Sequence, residues 1–255
     1  GGVTPTGYAS ESVSALTIDG KVKKACKLKI IPEEIAVVKL IFDRFLATGS
    51  LTKTETYLIQ NGYMTKNGKR FTRFTIRGIL SNPVYLIADQ AAYRYWTASE
   101  VDLFAEEKDF DGLHGIMAYN RTLQQAGRAH QIKPPAEWIV AVGKHKGVIE
   151  GKSWVKAQTM LAQNKSKSYR KPRSNVALLS GLLTCANCGE FMRPKLSKRV
   201  NAQGEPVYSY LCSLKERSRA YCCAMENCHG NSVDAAIIEQ LKCLREDVAG
   251  FIREL

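Results

Sequence analysis

Six of the eight cysteines fall between residues 185 and 228, where Cys185-Ala186-Asn187-Cys188-Gly189 is followed by Cys212, Cys222-Cys223 and Cys228. Two thiolates at this spacing can grip one metal ion from a single tight turn, and Gly189 suits that turn. Structural zinc takes four tetrahedral ligands, so a second half-site must come from further along. Cys212 ends an alternating run, Val207-Tyr208-Ser209-Tyr210-Leu211, that has the pattern of a strand. The fourth ligand is open among Cys222, Cys223 and Cys228, with His229 a weaker candidate. Two knuckles joined by strands make a ribbon with too little apolar material to fold unaided. There the metal contributes on the order of 10 kcal/mol or more. A four-cysteine site leaves no position open for water, which argues against a metalloenzyme.

The competing reading is packed or disulfide-bonded cysteines. No secretory signal stands at the N-terminus and no apolar stretch is long enough to span a membrane. A cytoplasmic protein with no membrane partner is therefore expected, and reduced, clustered cysteines there favour metal. Cys26 and Cys243 lie far from the cluster and are expected to be ordinary packed or surface thiols.

Charge supplies the second chemical signal. The 255 residues carry a net charge of +13, with a pI near 9.4. Lys and Arg outnumber Asp and Glu by 14 to 7 in residues 1–95 and by 14 to 4 in 151–230. Residues 96–150 carry 6 against 8, and 231–255 carry 3 against 5. Two basic blocks flanking an acidic one point to nucleic acid as the partner.

The elements that must position these groups follow from periodicity. Residues 1–7 (GGVTPTG) have the composition of an extended linker. Ser10, Ser12 and Ser14 are expected in a loop, and Cys26 to Ile30 alternates like a short strand. Pro32 suits the first position of a helix, with Glu33 and Glu34 at its positive end and Gly49 as its stop. Ile35, Val38, Phe42 and Phe45 form the buried face. Ser50 caps a second helix, Leu51 to Gln60. A basic connector with Lys66, Lys69 and Arg70 leads to Thr72, which caps a third helix from Arg73 to Leu80. Phe74, Ile76, Ile79 and Leu80 are available for packing, and Arg73, Thr75 and Arg77 alternate with them. Asn82-Pro83 ends that helix. Two helices, a basic connector and a short helix with Arg and Thr near its start form the layout of a helix-turn-helix variant. In such a unit Arg chelates guanine and Thr meets a thymine methyl or a phosphate.

Val84 to Trp96 is aromatic and suggests a strand or two packed in the core. Residues 97–135 look like an inserted elaboration whose acidic residues (Asp102, Glu106, Glu107, Asp109, Asp111) lack metal-ligand spacing and form a solvated face. Trp138 to Val142 suggests a strand, followed by a turn from Gly143 to Gly147 that leaves His145 on the surface. Ser153 to Asn164 is helical. Lys165 to Arg173 forms a basic tether, and helical periodicity returns from Val233 (Ile237, Leu241, Leu244, Val248, Ile252).

Taken together, TPTGY at 4–8, IPEEIAVVKLIFDRF at 31–45, FTRFTIRGILSNPVY at 71–85 and GLLTCANCGEFM at 181–192 resemble the DNA-binding part of the large serine recombinases, of the phage integrase and transposon resolvase type. The resemblance implies an α+β chain: a helical, helix-turn-helix-like recombinase domain with short strands, a small zinc ribbon and a C-terminal helix. Its divisions would be a linker at 1–7, the recombinase domain at 8–164 with the insert at 97–135, the tether at 165–177, the ribbon at 178–232, and a helix at 233–255 beginning a coiled-coil arm.

The family pattern favours Cys228 as fourth ligand, giving structural Zn2+ on Cys185, Cys188, Cys212 and Cys228. It implies a double-stranded DNA attachment site and other recombinase protomers as partners, in a bacterial or phage-derived, nucleoid-associated setting. The linker would follow the minor groove. Lys66, Lys69, Arg70, Arg73, Thr75 and Arg77 would serve the major groove, and Arg193, Lys195, Lys198 and Arg199 a second segment. The catalytic serine of this family lies in a preceding domain, so this chain is expected to bind DNA without cutting it. A transcriptional regulator of the same layout and an RNA-binding zinc ribbon are the alternatives.

Overall fold

The computed structural model describes residues 4–16, 22–125, 127, 131–166 and 176–246. The chain divides into two compact units, Gly1–Leu58 with Tyr63–Ser168, and Ile59–Gly62 with Tyr169–Leu255.

In the first unit, β1 (Tyr8–Leu16) and β2 (Val22–Ile30) form an antiparallel hairpin, then come α1 (Pro32–Thr48), α2 (Leu51–Gln60), α3 (Arg73–Leu80) and α4 (Gln90–Ala98). Short strands β3 (Asp102–Leu103), β4 (His114–Tyr119), β5 (Thr122–Leu123) and β6 (Gln131–Ile132) precede β7 (Ile139–Lys146) and α5 (Gly151–Ser166). Strands β3, β7 and β4 make one mixed sheet in that order, and β5 pairs with β6.

The helix ends follow their sequence signals. Pro32 opens α1, and Gly49 closes it at φ 63 with its N–H on the Phe45 carbonyl. Ser50 Oγ accepts from Lys53 N at 3.3 Å. Asp89 has two tasks. Its carboxylate accepts from Ala92 N at 2.9 Å, capping α4, and from Gly151 N at 2.8 Å, fixing the start of α5. A Cβ on residue 151 would stand 2.1 Å from that carboxylate, so glycine is required there. The core gathers Ile35, Val38, Phe42 and Phe45 of α1 with Ile76, Ile79 and Leu80 of α3 and the tryptophans Trp96, Trp138 and Trp154.

Four expectations need correction. The serines at 10, 12 and 14 lie on β1, paired with Leu28, Cys26 and Lys24, rather than in a loop. The segment Val84 to Trp96 holds a 3-10 turn at Pro83–Tyr85 and α4, with no strand, because Asp89 offers a helix cap. Phe74 does not pack with the core but is 86% exposed. The strand from Ile139 runs through the supposed turn to Lys146, and His145 is buried, not superficial. Gly143 and Gly115 permit this: a Cβ on either would collide with the His145 ring at 2.6 and 2.2 Å. His145 Nε2 lies 2.8 Å from the Val84 carbonyl, and the Tyr8 ring meets it edge-on at 5.5 Å.

The acidic stretch folds into local turns. Asp111 accepts from Leu113 N at 2.8 Å and His114 N at 3.0 Å, and these bonds, that from His114 first, hold its pKa at about 2.

In the second unit, β8 (Met192–Val200) and β9 (Pro206–Cys212) form a hairpin, followed by α6 (Ser213–Arg217), β10 (Cys228–His229) and α7 (Gly230–Glu246). The sheet order is β10-β9-β8. Asp234 fastens α7 to the sheet, accepting from the hydroxyls of Tyr208 and Tyr210 and from Leu178 N. Further along α7, Ile237, Ile238 and Leu241 are exposed. Most of the basic tether and the final turns at Val248 and Ile252 lie outside the described residues, as does the start of the linker.

Candidate nucleic-acid interface and metal centre

The α3 helix is short, so its geometry depends on its cap. Thr72 Oγ1 accepts from Thr75 N at 3.2 Å while Thr75 Oγ1 accepts from Thr72 N at 2.8 Å, a reciprocal capping box. Thr75 is thereby engaged in holding the helix start. Ile76, Ile79 and Leu80 face the core; Arg73, Phe74, Arg77 and Gly78 are exposed and share the outer face.

Arg73 is anchored from behind by the buried Glu55 carboxylate, its Nε 3.5 Å from Oε2. Residues 61–72 connect α2 to α3 through a tight turn, with Met64 bridged to Arg70 and Thr65 N bonded to the Lys69 carbonyl at 2.8 Å. Lys66 and Lys69 are exposed and Arg70 is half-buried. Lys66 Nζ donates to the Thr4 carbonyl at 2.8 Å, and Tyr85 Oη donates to that of Thr6 at 2.8 Å. The end of the linker thus runs beside the basic connector.

The sulfur cluster starts from a knuckle. Gly189 N donates to the Cys185 carbonyl and Cys185 N to that of Glu190, both at 2.8 Å, with Gly189 at φ 68. Cys212 stands at the junction of β9 and α6. After α6 the chain reverses through Arg219 and Ala220, both at positive φ, and delivers Cys223.

The Sγ atoms of Cys185, Cys188, Cys212 and Cys223 all lie within 4.8 Å of one another. Cys185 to Cys223 spans 3.8 Å and Cys188 to Cys212 spans 3.5 Å. A tetrahedron of zinc–sulfur bonds near 2.3 Å has edges of about 3.8 Å. The donor set fits a closed structural metal site.

Cys228, expected as fourth ligand, is not among the gathered sulfurs. Its backbone is paired with Tyr210 in β10, while the α6 turn brings Cys223 back to Cys212. Cys222 is exposed. Burial raises the Cys185 thiol, yet the N–H groups of Asn187 and Cys188 and the adjacent sulfurs outweigh it and bring it to about 7. Cys188 is pushed up to about 12, first by burial and then by its sulfur neighbours. A cation held between them would stabilise four close thiolates together.

On the hairpin, the candidate contacts separate into two kinds. Arg193 is bonded to Glu216, and Lys195 Nζ lies 3.6 Å from the same carboxylate. Lys198 and Arg199 are exposed, in a stretch where β8 bulges between Leu196 and Val200. Sequence reasoning missed Phe74 as a surface residue and Glu216 as the partner of Arg193. Among the described residues no helix is long and apolar enough to cross a membrane.

A capped helix with a basic outer face and a four-sulfur ribbon belong to a two-unit α+β protein. The recombinase family model matches residues 32–164, and the model described as the recombinase zinc beta ribbon domain matches residues 178–242. The first covers more than half of the chain, which belongs to the recombinase family.

A Bacillus subtilis (strain 168) protein named as a DNA recombinase is 29% identical over 199 residues, 75% of this chain and 34% of its own length. The chain thus spans about a third of that relative. A solved large serine recombinase–DNA complex overlaps 93% of this chain and 56% of its own, at 18% identity and a TM-score of 0.33. A structure concerning the Listeria innocua prophage attP site overlaps 93% of this chain and 76% of its own, at 18% identity and a TM-score of 0.31. Overlaps at these scores establish no detail.

Proposed function

We propose that this chain grips duplex DNA at attachment sites as part of a site-specific recombinase acting on bacterial or phage DNA. The carrying observation is the outer face of α3, where Arg73, Phe74 and Arg77 are exposed over a packed inner face. Such a face suits the major groove, where arginine chelates guanine and exposed lysines such as Lys66 and Lys69 neutralise phosphate. Family membership and the Bacillus relative's name support the link to recombination.

In this reading one zinc ion sits on Cys185, Cys188, Cys212 and Cys223. It cross-links the knuckle to the loop after α6 and so holds the hairpin that presents Lys198 and Arg199 to a second stretch of DNA. The exposed Ile237, Ile238 and Leu241 of α7 would meet another protomer.

The test is a gel-shift selection from randomised duplexes, with duplex RNA as competitor. Enrichment of a defined DNA sequence that RNA does not displace is expected. Equal affinity for every duplex and for RNA would overturn the proposal.

A further inference from the structure

The outer face of α3 contains one residue that charge does not explain. Phe74 is 86% exposed at the second position of the helix, flanked by Arg73 and, one turn on, by Arg77. An aromatic ring held in water on a short, well-capped helix contributes nothing to this unit's core. Its neighbours say what covers it. Two guanidinium groups share its face, and Lys66 and Lys69 are exposed on the preceding turn, so the complementary surface is polyanionic.

Gly78, one turn below Phe74, has nothing within 4 Å of where a Cβ would stand, and the helix backbone is bare at that point. A bare backbone beside an apolar ring lets the helix sink closer to a groove floor than a longer side chain would allow.

We propose that Phe74 reads a thymine by packing against its 5-methyl group in the major groove, with Gly78 permitting the close approach. The major groove is where that methyl is displayed, and apolar side chains are its natural partners. The inference rests on the DNA-binding function proposed above, and it names a reader that carries no charge and makes no hydrogen bond. Specificity at that base pair would come from shape and dehydration. It would therefore survive raised salt better than the arginine contacts do.

The experiment takes the duplex selected by the whole chain and replaces each thymidine in turn with deoxyuridine, which deletes only the methyl. Wild type, F74A and F74L are titrated against each duplex. At one position wild type should lose about fourfold in affinity, the worth of burying one methyl group. F74A should bind thymine and uracil there equally, and F74L should keep part of the discrimination. High exposure of Phe74 means that F74A keeps the fold, checked by circular dichroism.

A wild-type chain that selects a duplex but ignores every deoxyuridine substitution would overturn the Phe74 role alone. So would an F74A variant that keeps the full uracil penalty. Failure of wild type to select any duplex would overturn the DNA-binding proposal itself.

Discussion

Arg73 and Glu55 form an ion pair in which one partner is buried and the other stands half in solvent. The Glu55 side chain is 4% exposed and that of Arg73 is 47% exposed, with 3.5 Å between Nε and Oε2. The pair holds the guanidinium from the α2 side while about half of the Arg73 side chain stays exposed. Arg73 thus has a structural duty that Arg77 does not share.

Removing Arg73 strands a buried carboxylate, so R73A should destabilise the first unit by about 1–3 kcal/mol. The double variant R73A/E55Q should recover much of that loss. Urea denaturation of the single and double variants measures it; additive losses would show that the pair does not couple.

The sulfur geometry separates Cys223 from Cys228, which spacing leaves open and the family pattern decides for Cys228. C223S should reduce bound zinc well below one per chain and loosen the ribbon, because it opens a four-ligand site. C228S should keep full metal content, since Cys228 pairs with Tyr210 outside the cluster. Metal analysis after dialysis decides between them, and the reverse outcome would restore Cys228 as the ligand.

Hairpin charges should differ in their salt dependence. Lys198 and Arg199 are exposed, whereas Arg193 and Lys195 share Glu216. A K198A/R199A variant should flatten the plot of log affinity against log salt by about 2, near 0.9 for each phosphate no longer neutralised. R193A should change the slope less. Equal changes for both would mean that Glu216 does not hold Arg193 back.

Protonation of His145 should weaken the first unit. Burial first, with the charge of His114 adding, lowers its pKa below the ordinary 6.5 although the bond to the Val84 carbonyl opposes this. The unfolded chain therefore takes up a proton before the folded one does. Stability from this source is complete above pH 6.5 and falls as pH drops through that value toward the lowered folded pKa. Its slope is at most about 1.4 kcal/mol per pH unit. Denaturation between pH 7.5 and 5 should show a loss that H145Q reduces; identical slopes would remove His145 as the cause.

Much of the fold was legible because local chemistry dictates it. Ser50, Thr72 and Gly49 mark helix ends through bonds made within one turn and Pro32 through its fixed φ, so α1 runs between Pro32 and Gly49 while α2 and α3 start directly after Ser50 and Thr72. The burial of Ile35, Val38, Phe42 and Phe45 follows from a spacing that only one helix face satisfies. What stayed hidden depends on partners distant in sequence.

Gly143 looks like a turn residue until Gly115 and the His145 ring are seen to need the same space. Along the chain, spacing leaves both Cys223 and Cys228 open as ligands, and the family pattern points to Cys228. Only the reversal at Arg219 and Ala220 and the pairing of Cys228 with Tyr210 choose between them. Phe74 belongs to the same class, since its apolar character signals packing and only the three-dimensional helix face turns it outward.

The most direct test of the central claim, that the outer face of α3 reads duplex sequence, is the base preference of R77A. Affinities of wild type and R77A are measured across every single-base change in the selected site. The expected result is a loss of about 1–3 kcal/mol concentrated in relaxed preference at one base pair. Uniform weakening on all sequences, with the wild-type preference intact, would make Arg77 a phosphate clamp and contradict the claim.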